Sequence, residues 1–318
     1  MTHGSGACSR ATYPGGRKMP DLANKIQTDK TLAIFLIVPA ALVVFIAMIV
    51  PLGYAVVMSF FSYKVGAEAS ASFVFLDNYL MFFTDRLGLI SLLNTVVFSV
   101  SALALELVIG TVMAVILMTI PKPLASFFRT VYTIPLLISP IIISLIWSQM
   151  YDPSYGIVYY LLELVGLDRM FGGLTQPNWA LFSIVLVDVW QTTPFVLLVV
   201  TSGLASIPSD IYEAAEIDGS GPLRTLFQIT LPLITRVLIV ITIIRGMDAF
   251  RVFDIIFGLT KGGPADSTLS LSMYAFRQGF DYYATGYAIT ISLIMMAMLA
   301  LVFTPLMGFF NSEPEAAK

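Results

Sequence analysis

Cysteine and histidine are all but missing: the 318 residues hold one of each, Cys8 and His3. A disulfide needs two thiols, and zinc sites or Cys/His nucleophile pairs need more of these side chains than the chain has. Charge is scarce too, at 12% Asp, Glu, Lys and Arg, where soluble domains carry about 25%. The balance is acidic, with net charge -3 and pI near 5.2, so there is none of the broad basic face that nucleic acid requires. No Gly-x4-Gly-Lys-Ser/Thr loop is present to cradle phosphates: Gly219 to Thr225 has glycines without a lysine, and Thr260 to Pro264 lacks a suitable following helix. The chain is read as neither an ATPase nor another enzyme, with no metal or cofactor of its own.

Apolar residues are abundant. They make up 58% of the chain, and mean hydropathy is +0.88, so lipid is the expected solvent. Runs of about 20 mainly apolar residues occur at Thr31–Phe61, Ile90–Met118, Val131–Met150, Trp179–Ser202, Leu233–Leu259 and Tyr287–Phe310. None alternates as a barrel strand would. The expected fold is an all-α membrane protein with six transmembrane helices. Residues 1–30, with Arg10, Arg17, Lys18, Lys25 and Lys30 and no apolar run, read as a disordered arm, and residues 311–318 as a short tail. The first apolar run is too long for a signal-peptide core and reads as uncleaved.

Six spans place both ends on one side. With the N terminus in the cytoplasm, the inner segments hold the five cations of the arm with Lys122, Arg129, Arg224, Arg236 and Lys318, and the outer loops hold Lys64, Arg86, Arg169, Lys261 and Arg277. That twofold excess favours cytoplasmic termini. Tyr151, Tyr155, Tyr159, Tyr160, Trp179, Tyr282, Tyr283 and Tyr287 then cluster at the outer edge, where interfacial aromatics belong.

The loop at residues 203–232 spells two short helices. Asp210 and Glu213 have capping-box spacing, Pro208 precedes them and Gly219 supplies a left-handed stop, giving a helix over Ile211–Asp218. Gly221-Pro222 restarts a second helix that runs until Pro232 opens span five. Ala214 and Ala215 leave part of the first helix without bulk, open to close approach by another protein; an amphipathic hairpin lying on the bilayer satisfies the same signals.

Residues 213–232 read EAAEIDGSGPLRTLFQITLP, which resembles the EAA signature of ABC importer permeases. Leu76-Asp77-Asn78-Tyr79, Asn94-Thr95, Ile134-Pro135, Leu204 to Ile207-Pro208 and Thr260-Lys261-Gly262-Gly263-Pro264 extend the likeness, in order, to the carbohydrate branch that includes maltose and glycerol-3-phosphate permeases. Ser220, where alanine is usual, and Tyr159, where asparagine is frequent, depart from the pattern. The resemblance covers about residues 31–310 and implies a type I transmembrane domain over residues 88–310 in a bacterial cytoplasmic (inner) membrane. It further implies a second permease subunit, two ATPase subunits that bind the ATP, and an external solute-binding protein. Glu213, Ala214, Ala215, Asp218 and Gly219 would dock on the ATPase, whose closure would rock the helices through Pro232. The implied cargo is a sugar or similar solute.

Six ionisable residues fall inside spans: Glu106, Asp188, Arg245, Asp248, Arg251 and Asp254. Such groups are costly in lipid and normally face a bundle interior or wet cavity. The last four follow at intervals of three with alternating sign, so each neighbouring pair is placed to form an ion pair; Glu106 has no identifiable partner. Asp188, Thr192 and Phe195 lie at i, i+4 and i+7, on one stripe. A carboxylate, a hydroxyl and a ring suit a sugar, and equally suit helix packing. Matching by motif to the maltose-type permeases puts this stripe in one substrate region and Asp248 to Phe253 in the other, where Ala249 and Val252 replace asparagines. Asp248 and Arg251 stand in as contacts, with Ser139 as a further candidate. The competing reading is an ion-driven carrier relaying protons through Asp188, Asp248 and Asp254.

Overall fold

The computed structural model describes residues 30–64, 66, 71–167 and 170–311. The expected arm at 1–30 and tail at 311–318 fall outside these residues, save where they join the first and last helices. Through Ala55 the chain forms one compact unit, made of α1 (Lys30–Val44), a π-helical turn (Phe45–Ile49) and the start of α2 (Val50–Met58). Ile37 to Tyr54 are exposed throughout. Such a helix, apolar on every side, is soluble only in lipid.

The second unit begins at Val56. A two-residue hairpin, β1 (Phe61–Ser62) with β2 (Ser72–Phe73), leads to α3 (Asp77–Thr84) and the long α4 (Arg86–Thr119). There follow α5 (Lys122–Thr133), a 3-10 turn (Ile134–Leu137), α6 (Pro140–Met150), α7 (Ile157–Leu164) and α8 (Pro177–Ala205). Next come α9 (Ser209–Ile217), α10 (Pro222–Thr225), a π-helical turn (Leu226–Thr230), α11 (Leu231–Leu233) and α12 (Thr235–Phe250). The chain closes with α13 (Asp254–Leu259), α14 (Leu271–Phe276), a π-helical turn (Arg277–Asp281) and α15 (Thr285–Asn311). Among the described residues, four helical stretches are long and apolar enough to cross a membrane, and two bent pairs raise the number to six if each pair is one span.

Two sharp bends interrupt the helices of spans three and five. The axis turns by 97° between Lys122–Leu137 and Pro140–Met150, because a residue before proline avoids helical backbone and Ser139 is extended. Gln191 Nε2 donates to Ile138 O at 3.2 Å, satisfying a carbonyl that the break releases. At the start of span five, Pro222–Leu233 and Thr235–Phe250 meet at 67°, with the bend at Ile234, just beyond the Pro232 expected to open the span. The helix then stops at Phe250, and the Ser272 and Ser270 hydroxyls donate to Arg251 O and Val252 O before α13 begins.

Helix α4 is inside-out. Its buried face carries Ser91, Thr95, Ser99, Ala102, Glu106, Gly110 and Ala114, while Leu93, Val97, Val100, Val108 and Ile116 are exposed. Small and polar side chains meet the neighbouring helices, and branched apolar ones meet lipid, as expected where helix association relies on close packing. The approach to α8 is close: a Cβ added at Gly110 would lie 2.7 Å from Val196 Cβ.

Two apolar clusters result. One gathers Phe98, Ile143, Ile184, Phe250, Ile256, Leu271 and Tyr274, and the other Ala114, Val196, Leu197, Val200, Ile234 and Ile241. The loop after α13 is pinned to α4. Asn94 Nδ2 donates to Asp266 O and Leu269 O, each at 3.1 Å, and Thr95 Oγ1 accepts from Leu271 N at 2.9 Å. The Tyr274 hydroxyl donates to Asp85; burial, with Asp85 beside it, pushes the phenol well up, so it remains a neutral donor. Tyr155, Tyr160, Tyr282 and Tyr283 are exposed as expected of interfacial rings, but Tyr151 and Tyr287 belong to the core.

Substituting Gly110→Leu is expected to force α4 and α8 apart at a cost of about 1–3 kcal/mol, seen as a lower thermal transition of the detergent-solubilised protein. Val100→Leu, on the exposed face of the same helix, should leave that transition unchanged.

Candidate functional site: a buried ion cluster and an exposed elbow

Arg245 on α12 sits at the centre of the ion cluster. Its Nε lies 2.8 Å from Glu106 Oε2 and its Nη2 2.8 Å from Glu106 Oε1, a two-pronged fit of guanidinium to carboxylate. Nη2 also reaches Asp188 Oδ2 at 3.4 Å, and Nη1 reaches Asp248 Oδ2 at 3.9 Å. Glu106 is fully buried, and Asp188 and Arg245 nearly so. The cluster therefore ties α4, α8 and α12 together, and on α4 and α12 its residues lie between the two apolar clusters.

Glu106, whose partner the sequence does not identify, is the principal counter-ion of Arg245. Nothing in the spacing of α4 announces this, since the partner is 139 residues away. The only available signal was that an arginine within a span needs a counter-charge. The ladder of i,i+3 pairs is also only partly formed. Arg245–Asp248 and Asp248–Arg251 exist, the latter at 3.0 Å, but the helix ends before Asp254, which opens α13 instead.

Asp188 and Thr192 are brought into the cluster. Thr192 Oγ1 lies 2.7 Å from Glu106 Oε1 and 2.6 Å from Asp188 O, and its single proton serves one of them at a time. Phe195 packs with the second apolar cluster. Asp248 and Arg251 are exposed neighbours of the cluster, each with about half of its side chain accessible. Ser139 is exposed at the break between the 3-10 turn and α6. Gln191, which sequence reading passed over, is buried on α8 and holds that break.

The elbow is built as two helices, with adjustments. Helix α9 starts at Ser209, and its N-cap position, Pro208, makes no side-chain cap bond. The expected Asp210/Glu213 capping box does not form: Asp210 already lies inside the first turn and accepts from Ser209 at 3.4 Å. The stop is as expected. Gly219 has φ +70°, its N–H donates to Glu216 O at 3.0 Å, and Ser220 N donates to Ala215 O at 2.9 Å. These two bonds make a Schellman termination, which needs a left-handed residue at that position. Pro222 stands at the start of α10. Glu213, Ala214, Asp218 and Gly219 are exposed, while Ala215 is buried within the chain. Ile217 and Leu223 add exposed apolar surface at 86% and 70%. Beneath the elbow lies a cavity of about 530 Å³ bounded by Met118, Leu204, Tyr212, Glu216 and Thr230.

Residues 106–312, which carry both the cluster and the elbow, match the family described as binding-protein-dependent transport system inner membrane component. The chain belongs to this family. It is a transport permease, a multi-pass protein of the inner membrane. This permease is 38% identical over 290 residues to the trehalose/maltose transport system permease protein of Thermococcus litoralis, spanning 89% of this chain and 95% of that one. Identity is 32% over 270 residues with the sulfoquinovosyl glycerol transport system permease protein of Agrobacterium fabrum, at 85% and 87% coverage. A chain in the crystal structure of a bacterial ABC transporter involved in the import of the acidic polysaccharide alginate superposes with TM-score 0.76, covering 92% of the permease and 99% of that chain at 22% identity. That likeness establishes the fold. Among the described residues no cluster of His, Cys, Asp and Glu could hold a metal ion.

Removing one partner from a buried pair strands the other charge. Glu106→Ala in this permease should therefore cost about 3–5 kcal/mol, measured as loss of the folded fraction in detergent. Arg245→Lys should not restore stability, because an ammonium cannot reproduce the two-pronged contact.

Proposed function

We propose that this permease is one of two membrane subunits of an ATP-driven ABC importer for a sugar or sugar-like solute delivered by an external binding protein. The observation that carries the reading is the near full-length match to the trehalose/maltose permease; the family description adds dependence on a binding protein. ATP hydrolysis is assigned to two copies of a separate subunit. Six spans with both termini in the cytoplasm agree with the count obtained when each bent pair is one span and with the distribution of lysine and arginine.

In this reading the elbow receives the force. Glu213, Ala214, Asp218 and Gly219 face the ATPase, Ala215 stiffens the helix from behind, and Ile217 extends the contact. The Schellman stop and the bend at Ile234 pass the displacement into α12, whose far end carries Arg245, Asp248 and Arg251. The pathway is assigned to the exposed polar groups Asp248, Arg251 and Ser139, with Thr192, Asp188 and Phe195 on α8 as its wall. Carboxylates accept hydrogen bonds from sugar hydroxyls, and a ring covers a C–H face. Engagement of both Asp188 and Glu106 by Arg245 counts against a proton relay and hence against an ion-driven carrier. A second reading, an anionic sugar derivative, is favoured by the exposed guanidinium of Arg251.

Glu213→Lys and Gly219→Pro should each abolish uptake and substrate-stimulated ATP hydrolysis in the assembled transporter while membrane insertion stays normal. Uptake at the unmutated rate would reject the elbow as the coupling element. Calorimetry of the cognate binding protein with neutral and anionic sugars separates the two cargo readings.

A further inference from the structure

Residues 151–176 join the end of α6 to the start of α8, the helices that close span three and open span four. This connection is folded down onto the helix ends. A Cβ added at Gly156, the residue before α7, would collide with Met150 O in the last turn of α6. Tyr151 is buried, and its hydroxyl donates to Ser183 O on α8 at 3.3 Å. The exposed Tyr155 donates back to Gln149 Oε1 on α6 at 2.8 Å. Phe171 continues the contact, its ring 5.8 Å from that of Tyr159 on α7 and 5.3 Å from that of Trp179 on α8. Helix α7 is therefore held where two spans end, at the boundary between hydrocarbon and water.

The two faces of α7 differ. Val158, Tyr159 and Leu162 are partly buried, and Val158 packs against the first apolar cluster. On the opposite face Ile157, Tyr160, Leu161 and Leu164 follow at i, i+3, i+4 and i+7, the spacing of one helical stripe, and they are 46%, 57%, 54% and 67% exposed. The one charge on the helix, Glu163, is exposed between these faces, and Leu161 lies on the far side of the helix from it. With the bundle behind the helix and the carboxylate in water, the stripe faces sideways and down into hydrocarbon, as an in-plane amphipathic helix requires.

A protein that docks and leaves meets a surface about as polar as the rest of the exterior. Here the only side-chain polar atom on the stripe is the Tyr160 hydroxyl, an amphipathic group suited to headgroup level. No lysine or arginine occurs between Tyr151 and Leu167, so nothing on the helix selects an anionic headgroup. We infer that α7 lies in the plane of the outer leaflet, with its stripe at the boundary of headgroups and acyl chains, and that lipid thereby holds the outer ends of α6 and α8 at a fixed depth. The choice of leaflet rests on the cytoplasmic termini proposed above.

The test places single cysteines in the full-length chain carrying Cys8→Ser, within an assembled transporter whose other subunits lack cysteine, in phosphatidylcholine nanodiscs. Nitroxides at Leu161→Cys and Leu164→Cys should collide with dissolved oxygen, which partitions into lipid, in preference to an aqueous nickel chelate. Their oxygen-to-nickel ratio should be about fivefold above that of a nitroxide at Glu163→Cys. All three side chains are exposed, so none of these changes removes core packing. Ratios at the stripe equal to that at Glu163→Cys would show a face in water and overturn the inference, and loss of that aqueous access on adding the external binding protein would give the face to that protein. Low collision rates with both reagents would show cover by the second permease subunit and overturn it equally. In spheroplasts a membrane-impermeant maleimide should label Glu163→Cys directly. Labelling only after permeabilisation would overturn the outer-leaflet placement together with the proposed orientation, whereas the nitroxide ratios read lipid contact whichever way the chain is inserted.

Discussion

Arg245 is the charge around which the helices are arranged. An unpaired guanidinium within a bilayer would draw water into the bundle or pull the helix toward the surface. Glu106 and Asp188 remove that cost by approaching from α4 and α8, and in doing so they fix the rotation and height of three helices at once. The pairing is a constraint of geometry more than a source of net stability, because desolvation of the ions offsets much of their attraction. Rotating α4 by one residue would carry Glu106 away from Arg245 and turn valines and leucines into the bundle.

The remaining packing follows from this layer. With the charges in register, Gly110 meets Val196 on one side of the cluster, and Phe98, Ile184 and Phe250 close over the other. The break in span three and the end of α12 are compatible with lipid for the same reason: side chains of the protein meet carbonyls that the helix releases, Gln191 at Ile138, and Ser272 and Ser270 at Arg251 and Val252. Irregular backbone at membrane depth persists only where it is so satisfied. Because α12 stops at Phe250, Asp248 and Arg251 stand at a helix end with room around them, whereas Arg245, three residues before Asp248, is enclosed.

The elbow obeys a different logic. Its order comes from local bonds, those of Gly219 and Ser220 to the preceding turn, and its contact with the bundle is loose enough to leave a cavity beneath it. The π-helical turn at Leu226–Thr230 and the bend at Ile234 lie between the elbow and the charged layer, so displacement of one and reorientation of the other share a single segment of backbone.

Much of this was legible from residues alone. The apolar runs located the helices because lipid admits few other spanning structures; the Gly219 stop and the Pro222 restart followed from backbone preferences that act within a few residues; and the EAA signature pointed to the family. What required the tertiary structure was every relation between segments distant in sequence. Glu106 carries no local sign that Arg245 awaits it, Asn94 none that it will hold the carbonyls of Asp266 and Leu269, and Asp210 none that the helix will start two residues too early for its capping box. Periodicity and propensity are properties of neighbours along the chain. Counter-charge, close approach and the satisfaction of a broken helix are properties of neighbours in space, and only the fold decides who those are.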